Sequence, residues 1–284
     1  MNKILLPNKS FAFKFFVIFA FMFFGLLVAS VIVTIIGQAV GTTTSKGMLA
    51  LSSVVQNAVA FIIPALAAVS LFSAKPWQSL RAGKGFSWPT ALIIVAMYFV
   101  SIPFMNWLVS WNAHWALPDV LIKFEADAKK LTDVLLVGNS LSAMLGMVLV
   151  VGVLTAVGEE MMFRGALLGT CLDRPANRHV AVWAIALLFS AFHMQFLGFV
   201  PRMVLGVWLG YLLLYTGSIW APVLAHALNN GMVVIVCYLG EQGMMNRDAF
   251  ETLGAHEPWL ALLSLVLSLS LFFAMKRVQN RNFT

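Results

Sequence analysis

The sequence predicts an all-α protein, a polytopic integral membrane bundle of about eight transmembrane helices. Of its 284 residues, 61% are hydrophobic and only 10% are charged, and the mean hydropathy is +0.91. A soluble domain is nearer half apolar and a quarter charged. Several apolar runs also reach about 20 residues, the length that an α-helix needs to cross the hydrocarbon core of a bilayer. Lipid is therefore the expected solvent for most of the chain.

Apolar runs and polar turns alternate along the whole chain. The expected spans are 15–40, 48–74, 88–111, one from about 136 through the Glu159-Glu160 pair, 180–200, 203–215, 219–239 and 259–275. Pro64 is expected to kink the second span and Pro103 to interrupt the third, because proline breaks the helical hydrogen-bond pattern. Residues 120–135, before the fourth span, are a candidate for an amphipathic helix on the membrane surface.

The net charge of +7 is distributed unevenly over the loops. The basic segments, which fall on one side of an eight-span chain, are the N-terminus, 75–84, 174–178 and the C-terminal tail. The segments of mixed charge, 112–133 and 241–257, fall on the other side. Because basic loops collect on the cytoplasmic side, we expect both termini there, and we expect no nucleic-acid partner. Arg202, beside Pro201 in an outer turn, does not follow this pattern.

One stretch places three ionisable side chains inside an apolar run. Glu159, Glu160 and Arg164 lie within six residues of each other. A charge at the bilayer centre costs at least about 2.5–3.5 kcal/mol by insertion scales, so such groups normally face the interior of a bundle and serve a function. Glu160 and Arg164 are four residues apart, which suits an ion pair along one helix face. Glu159 is rotated by about 100° from Glu160 and can face elsewhere.

Three further polar side chains lie within later spans. His193 ends the segment Phe189-Ser-Ala-Phe-His193, and His226 and Asn230 are four residues apart on one helix face. Counted from the nearest loop at 1.5 Å per residue, Glu159 and His193 lie roughly 20 Å along their helices, and His226 and Asn230 roughly 12–18 Å. We therefore expect the two histidines, the amide and the carboxylate to meet in one layer within the membrane.

This combination of side chains fits hydrolysis of a carbonyl compound, most simply a peptide bond. Glu159 suits a general base that takes a proton from water, and histidine and asparagine donors suit a developing oxyanion. The same Glu159, His193 and His226 could instead hold a zinc ion. We favour a mechanism that requires no cofactor, because Asn230 is a poor zinc ligand but a good neutral donor. A small-solute transporter would also use such groups, although no inverted repeat is evident.

The order of these residues resembles the three motifs of the CPBP intramembrane protease family. That family includes type II CAAX prenyl endopeptidases and bacterial proteins linked to bacteriocin processing and self-immunity. The resemblance covers about residues 136–239 and lies on three transmembrane regions. The three motifs, as they stand in this sequence, are Glu159-Glu160-xxx-Arg164, Phe189-xxx-His193 and His226-xxx-Asn230.

The resemblance implies a role for each of these positions. Glu159 would activate the water with help from His193, and His226 with Asn230 would stabilise the oxyanion. The supporting residues would be Glu160, Arg164 and Phe189. Members of this family have been described both as metalloproteases and as metal-free glutamate peptidases. Zinc, held by Glu159, His193 and His226, therefore remains the alternative.

The resemblance also implies an organisation of the chain and a class of partner. We divide the chain into N-terminal transmembrane helices with their loops (1–135), a catalytic core of CPBP type (136–240), and an outer loop with a C-terminal transmembrane helix (241–284). The expected activity is that of an intramembrane endopeptidase acting on a membrane-associated protein or peptide. A non-catalytic immunity or scaffold protein of the same fold is the alternative. The compact loops favour a bacterial inner membrane, and the sequence determines neither the substrate nor the oligomeric state.

Overall fold

The computed structural model describes residues 4–6, 8–136, 138, 140–174 and 177–281, which form eleven helices and no strand. The all-α fold expected from the sequence is confirmed. With helical segments that continue without a break joined, the elements are α1 (Phe11–Val40), α2 (Lys46–Phe72), α3 (Pro76–Ser79), α4 (Trp88–Asn112), α5 (Asp119–Leu136), α6 (Leu141–Leu172), α7 (Arg178–Phe192), α8 (Phe199–Thr216), α9 (Trp220–Glu241), α10 (Arg247–Thr252) and α11 (Pro258–Arg281).

Seven of the described helices are long and apolar enough to cross a membrane, namely α1, α2, α4, α6, α8, α9 and α11. The chain is therefore an integral membrane protein. The apolar helix α7 has only 15 residues, or about 22 Å of helix, so the expected eight spans correspond to seven full spans and this shorter one. Lys3, one of the basic residues on which the predicted orientation rests, lies outside the described residues.

The helices begin at polar residues that satisfy the first backbone N–H groups. The side chains of Ser10, Ser45, Ser140 and Asn177 accept hydrogen bonds from the first turns of α1, α2, α6 and α7. A helix leaves these N–H groups without an intrahelical partner, and serine and asparagine are preferred caps for this reason. The expected amphipathic helix at 120–135 is α5, and most of its side chains are exposed.

The expected fifth span, 180–200, is too long, because α7 ends at Phe192 and a turn follows. Met194 in this turn has a φ of 53°, and Ser190 Oγ donates to the carbonyl of Phe199 at 2.6 Å. This hydrogen bond connects the end of α7 to the start of α8. Irregular backbone at membrane depth is tolerated where protein rather than lipid surrounds it.

The expected interruption at Pro103 is wrong, because α4 runs through it as one helix. Proline opens the local hydrogen-bond ladder, and a side chain from α11 closes the gap. Ser264 Oγ accepts from the amide of Phe104 at 3.2 Å and donates to the carbonyl of Val100. A hydroxyl inserted between these two backbone groups keeps both satisfied, so the helix continues.

Two of the long helices contain π-helical stretches. In α2 the stretch Asn57–Ile62 directly precedes Pro64, the proline expected to kink this span. In α6 there are two such stretches, Val148–Leu154 and Met161–Leu168. The first lies on a partly exposed part of α6, whereas every residue of the second is buried. The centre of the bundle is therefore the second half of α6, which α2, α7 and α8 surround.

Candidate active site

Glu159 and Glu160 lie in the middle of α6, immediately before the buried π-helical stretch Met161–Leu168. A π-helical turn displaces side chains from the regular 3.6-residue pattern, and such turns are frequent at functional sites. The Glu160 side chain is completely buried, whereas that of Glu159 is 12% exposed. The two adjacent carboxylates therefore lie in different surroundings.

Glu160 and Arg164 form the ion pair that their spacing suggests. Arg164 Nη1 lies 2.7 Å from Glu160 Oε1, and neither side chain is accessible to solvent. Arg164 Nη2 also donates to the carbonyl of Gly206 on α8 at 3.2 Å, and its guanidinium carbon lies 4.3 Å from the centre of the Phe189 ring on α7. A buried charge is costly unless it is paired and hydrogen-bonded. These contacts therefore fix α6 against both α7 and α8.

His226 on α9 is held by the same carboxylate. Its Nδ1 lies 2.8 Å from Glu160 Oε1, and an ionised carboxylate only accepts hydrogen bonds, so Nδ1 carries the proton. The second oxygen, Glu160 Oε2, is buried and has no hydrogen-bond partner among the described residues. With Nδ1 engaged, His226 Nε2 points towards Glu159 Oε2, at 3.7 Å.

His193 follows α7 directly, and its ring orientation is also fixed from behind. Its Nδ1 lies 2.8 Å from the carbonyl oxygen of Phe189, which can only accept, so Nδ1 is again the donor. His193 Nε2 then faces Glu159 Oε2 at 4.0 Å. Both imidazoles therefore present the same nitrogen to the same carboxylate oxygen.

Glu159 Oε2 is the atom on which this arrangement converges. It is buried and makes no hydrogen bond to any described residue. Separations of 3.7 and 4.0 Å from the two imidazole nitrogens are too long for direct hydrogen bonds, so Glu159 Oε2 keeps its capacity to accept a hydrogen bond. The structure thus brings together three of the predicted site residues, Glu159, His193 and His226.

The Phe189 ring packs against most of the charged and polar groups of the site. Ring centres are 4.9 Å apart for Phe189 and His193, and 5.8 Å apart for Phe189 and His226, both edge to face. The same ring lies beneath the guanidinium of Arg164 and meets Phe163 edge to face at 5.2 Å. An aromatic ring in these orientations adds attraction beyond its buried area. Phe189 therefore positions both histidines through its ring, in addition to holding His193 through its carbonyl.

Asn230 lies one turn from His226 on α9, and its side-chain amide makes hydrogen bonds to other residues. Its Nδ2 lies 3.5 Å from the carbonyl of Val151 on α6, and its Oδ1 accepts from Asn229 Nδ2 at 3.1 Å. No hydrogen bond joins Asn230 to Glu159, His193 or His226 among the described residues. The fourth predicted site residue thus lies beside the other three, with its amide held between α6 and α9.

Asn57, from the N-terminal helices, is a contact that the sequence reasoning missed. This buried side chain donates to Thr155 Oγ1 on α6 at 3.1 Å, and its Oδ1 has no partner among the described residues. A Cβ atom on Gly158 would lie only 2.6 Å from that oxygen. Gly158 therefore lets α2 approach α6 directly beside Glu159. An asparagine inside an apolar span was the signal available in the sequence, since polar side chains within membranes usually make specific contacts.

The zinc alternative would use Glu159, His193 and His226 as its ligands. In the described part of the chain, no group of three or more His, Cys, Asp and Glu side chains is arranged to hold a metal ion. Zinc binds nitrogen and oxygen ligands at about 2.0–2.2 Å, which places neighbouring tetrahedral donors about 3.3–3.6 Å apart. The separations at Glu159 Oε2, 3.7 and 4.0 Å, lie slightly above this range. Zinc therefore remains the alternative to a metal-free site.

Comparison with known protein families gives one match. The family described as type II CAAX prenyl endopeptidase Rce1-like matches residues 141–232, a stretch that contains every predicted site residue from Glu159 to Asn230. The resemblance identified from the three motifs is confirmed over this stretch. Searches of curated proteins and of solved structures found no match.

Proposed function

We propose that this protein is an intramembrane endopeptidase that hydrolyses a peptide bond of a membrane-associated protein or peptide, with Glu159 as the general base. The observation that carries the proposal is the position of His193 Nε2 and His226 Nε2, at 4.0 and 3.7 Å from the buried Glu159 Oε2. The match to the type II CAAX prenyl endopeptidase family supports the same class of reaction.

The first step uses water held between Glu159 and His193. A water oxygen there is within hydrogen-bond reach of Glu159 Oε2 and of the lone pair on His193 Nε2. Glu159 removes one proton while the oxygen attacks the carbonyl carbon of the substrate, and the carbonyl oxygen becomes an oxyanion. The protonated Glu159 then gives its proton to the nitrogen of the leaving amine as the C–N bond breaks. The base thereby returns to its starting form.

The oxyanion requires donors, and His226 is the first of these. Because its Nδ1 proton is held by Glu160, only the doubly protonated ring has an N–H on Nε2. In that form, the charges of Glu159, Glu160, Arg164 and His226 sum to zero, which suits a buried cluster. Asn230 is the second proposed donor, through the N–H that Val151 does not accept. Preorganised donors of this kind are typically the largest single contribution to such a reaction.

The direct test is identification of a product. Membranes containing the wild-type protein and membranes containing the Glu159→Gln variant would be compared by proteomic analysis of peptide ends. A peptide terminus that depends on Glu159 supports the proposal. A wild-type protein without any such product, purified and folded, would instead be a non-catalytic immunity or scaffold protein, and solute flux into liposomes would indicate a transporter.

The role of zinc is tested on protein purified without added metal. We expect no stoichiometric zinc by elemental analysis and undiminished peptide cleavage after chelation and dialysis. Zinc near one equivalent, with activity lost on its removal and restored on its return, would assign Glu159, His193 and His226 as ligands and would overturn the metal-free mechanism.

We further propose that both termini are cytoplasmic, since the basic loops share one side of the predicted topology. Reporter fusions after Asp127, in α5, and after Asn246, before α10, should both give an external signal. A cytoplasmic signal from either fusion would refute this orientation. The proposed membrane is the inner membrane of a bacterium.

A further inference from the structure

A second cavity lies next to the candidate active site. It has a volume of about 330 Å³, and α4, α8, α9 and α10 form its walls. Its lining includes Asn229, which hydrogen-bonds to Asn230, and Arg202, which interacts electrostatically with both Glu159 and His193. Cavities of this size hold small ligands or a few side chains of a peptide. This cavity is therefore in a position to receive part of whatever is bound at Glu159.

Arg202 is the charged group of this cavity that the mechanism does not use. Its Nη1 donates to the carbonyl of Gln195 at 3.1 Å and its Nη2 to Gln195 Oε1 at 2.8 Å. A guanidinium has five N–H donors, so these two bonds orient the group without using all of its donors. Among the described residues, Glu125 and Glu159 act on Arg202 electrostatically, but neither lies within ion-pairing distance of it. A cation that is removed from bulk water is stabilised by an anion within ion-pairing distance.

The backbone around Arg202 leaves space for the guanidinium. Gly198 caps the N-terminus of α8, and a Cβ atom at this position would lie 3.2 Å from Arg202 Nη2. Arg202 is also in the first turn of α8, where the helix dipole adds positive potential. The positive potential of the helix N-terminus favours an anion in front of this group.

Trp208 and Glu251 are two further polar residues in the lining of the cavity. Trp208 Nε1 is buried without a hydrogen-bond partner among the described residues, and it belongs to a side chain that lines the cavity. The one acidic lining residue, Glu251, is held by Arg247 Nε at 2.6 Å. The other walls are largely apolar, with contributions from Met105, Leu205 and Val233 among others. The cavity thus suits an apolar segment that ends in, or carries, a hydrogen-bond acceptor with negative charge.

We propose that this cavity is a substrate subsite that receives a carboxylate, and that Arg202 selects it. The proposal rests on the proposed peptidase function and names a class of substrate for it, namely peptides with a carboxylate near the scissile bond. Arginine binds carboxylates through paired, charge-assisted hydrogen bonds that lysine and neutral side chains do not reproduce. The carboxylate can come from the C-terminus of a peptide or from an internal Asp or Glu side chain.

The test uses one short apolar peptide, with a fluorescent N-terminal label, in four forms. These are a free C-terminal acid, a C-terminal amide, and two C-terminal amides that carry Glu or Gln at the same internal position. Cleavage by wild-type protein in lipid nanodiscs is followed by mass spectrometry. We expect at least one carboxylate form to exceed its neutral counterpart by about tenfold or more in kcat/KM, mainly through a lower KM. The acid–amide pair reports a C-terminal source, and the Glu–Gln pair an internal one.

Arg202→Gln should abolish this preference, because cleavage of the carboxylate form should fall more than cleavage of the neutral form. Arg202→Lys should retain only part of the preference for the carboxylate form. Lys130→Gln, which removes an exposed positive charge from α5, is the matched control and should keep the full preference. Equal cleavage of acid and neutral forms by the wild-type protein, or a preference that survives in Arg202→Gln, would overturn the proposal while leaving the peptidase function intact.

Binding is measured separately, so that failure of the peptidase proposal can be recognised. Fluorescence anisotropy of the same four peptides with the Glu159→Gln protein requires no turnover. Tighter binding of a carboxylate form that Arg202→Gln removes, in a protein whose wild-type form cleaves nothing, would support the subsite and contradict the peptidase function. Equal binding of all four forms would contradict the subsite.

Discussion

Glu160 and Glu159 are adjacent in the sequence, but the two carboxylates differ in the hydrogen bonds that they accept. Glu160 Oε1 accepts hydrogen bonds from Arg164 and His226 at 2.7 and 2.8 Å. Glu159 Oε2 is buried and accepts none from the described residues, and its neighbouring imidazole nitrogens are 3.7 and 4.0 Å away. The first region is therefore a closed ion-pair network, and the second has the spacing of a site that binds another molecule.

Glu160, the carboxylate in the ion pair, orients the side chains that surround the other carboxylate, Glu159. Glu160 fixes the protonated nitrogen of His226, and Arg164 connects Glu160 to α8 and to the Phe189 ring. The nitrogen that faces Glu159 is consequently determined by contacts on the far side of each imidazole. Groups that orient a reactive side chain in this way are as necessary as the side chain itself.

The largest expected effect on activity is that of Glu159→Gln. The amide keeps the shape of the side chain but cannot act as a base, so we expect a loss of about 10²–10⁴-fold in peptide cleavage with little change in thermal stability. Cleavage by mass spectrometry and unfolding in detergent measure the two quantities. A variant with full activity would remove Glu159 from its proposed role.

Glu160→Gln should act mainly on stability. Removing one partner leaves Arg164 buried without its counter-charge, which typically costs about 3–5 kcal/mol. The double variant Glu160→Gln with Arg164→Met removes both charges and should be more stable than Glu160→Gln alone. Thermal unfolding and protein yield compare the three. Were Glu160→Gln as stable as wild type, the contrast between the two regions would not hold.

Gly158→Ala should have an intermediate effect. The added Cβ would lie 2.6 Å from Asn57 Oδ1, and such overpacking typically costs about 1–3 kcal/mol. Gly146→Ala in the same helix is the matched control, since no atom lies within 4 Å of its Cβ position. Asn57→Ala combined with Gly158→Ala should recover part of the loss. Equal unfolding temperatures for Gly158→Ala and Gly146→Ala would show that α2 does not constrain α6 at Glu159.

The smallest expected effect is that of Phe189→Leu, which removes a ring shared by both regions. We expect activity to fall about tenfold and the free energy of unfolding to fall by about 1 kcal/mol. Ring contacts such as those with His193, His226 and Arg164 each contribute about this much or less. Phe192→Leu is the control, because that ring packs against Phe61 and Phe163 rather than against the histidines. An identical loss of activity in both variants would argue for general packing instead of positioning.

Much of the architecture could be predicted because lipid imposes a simple rule on the sequence. Long apolar runs must become helices, since backbone groups find no other partners in hydrocarbon. The errors fall where a neighbouring helix changes a local preference. Pro103 does not break α4 because Ser264 from α11 completes its hydrogen bonds, and the run 180–200 divides after Phe192 because Ser190 connects to Phe199.

The sequence by itself determined the membrane-embedded helical class, the family resemblance of residues 141–232 and the pairing of Glu160 with Arg164. These depend on composition and on spacing within one helix, which the order of residues fixes directly. Only the tertiary structure decided that His226 binds Glu160, that Asn230 contacts Val151 and that Arg202 lines a cavity beside Glu159. Each of these contacts joins separate helices. The rotation and depth of those helices are set by packing between them, which no local sequence pattern encodes.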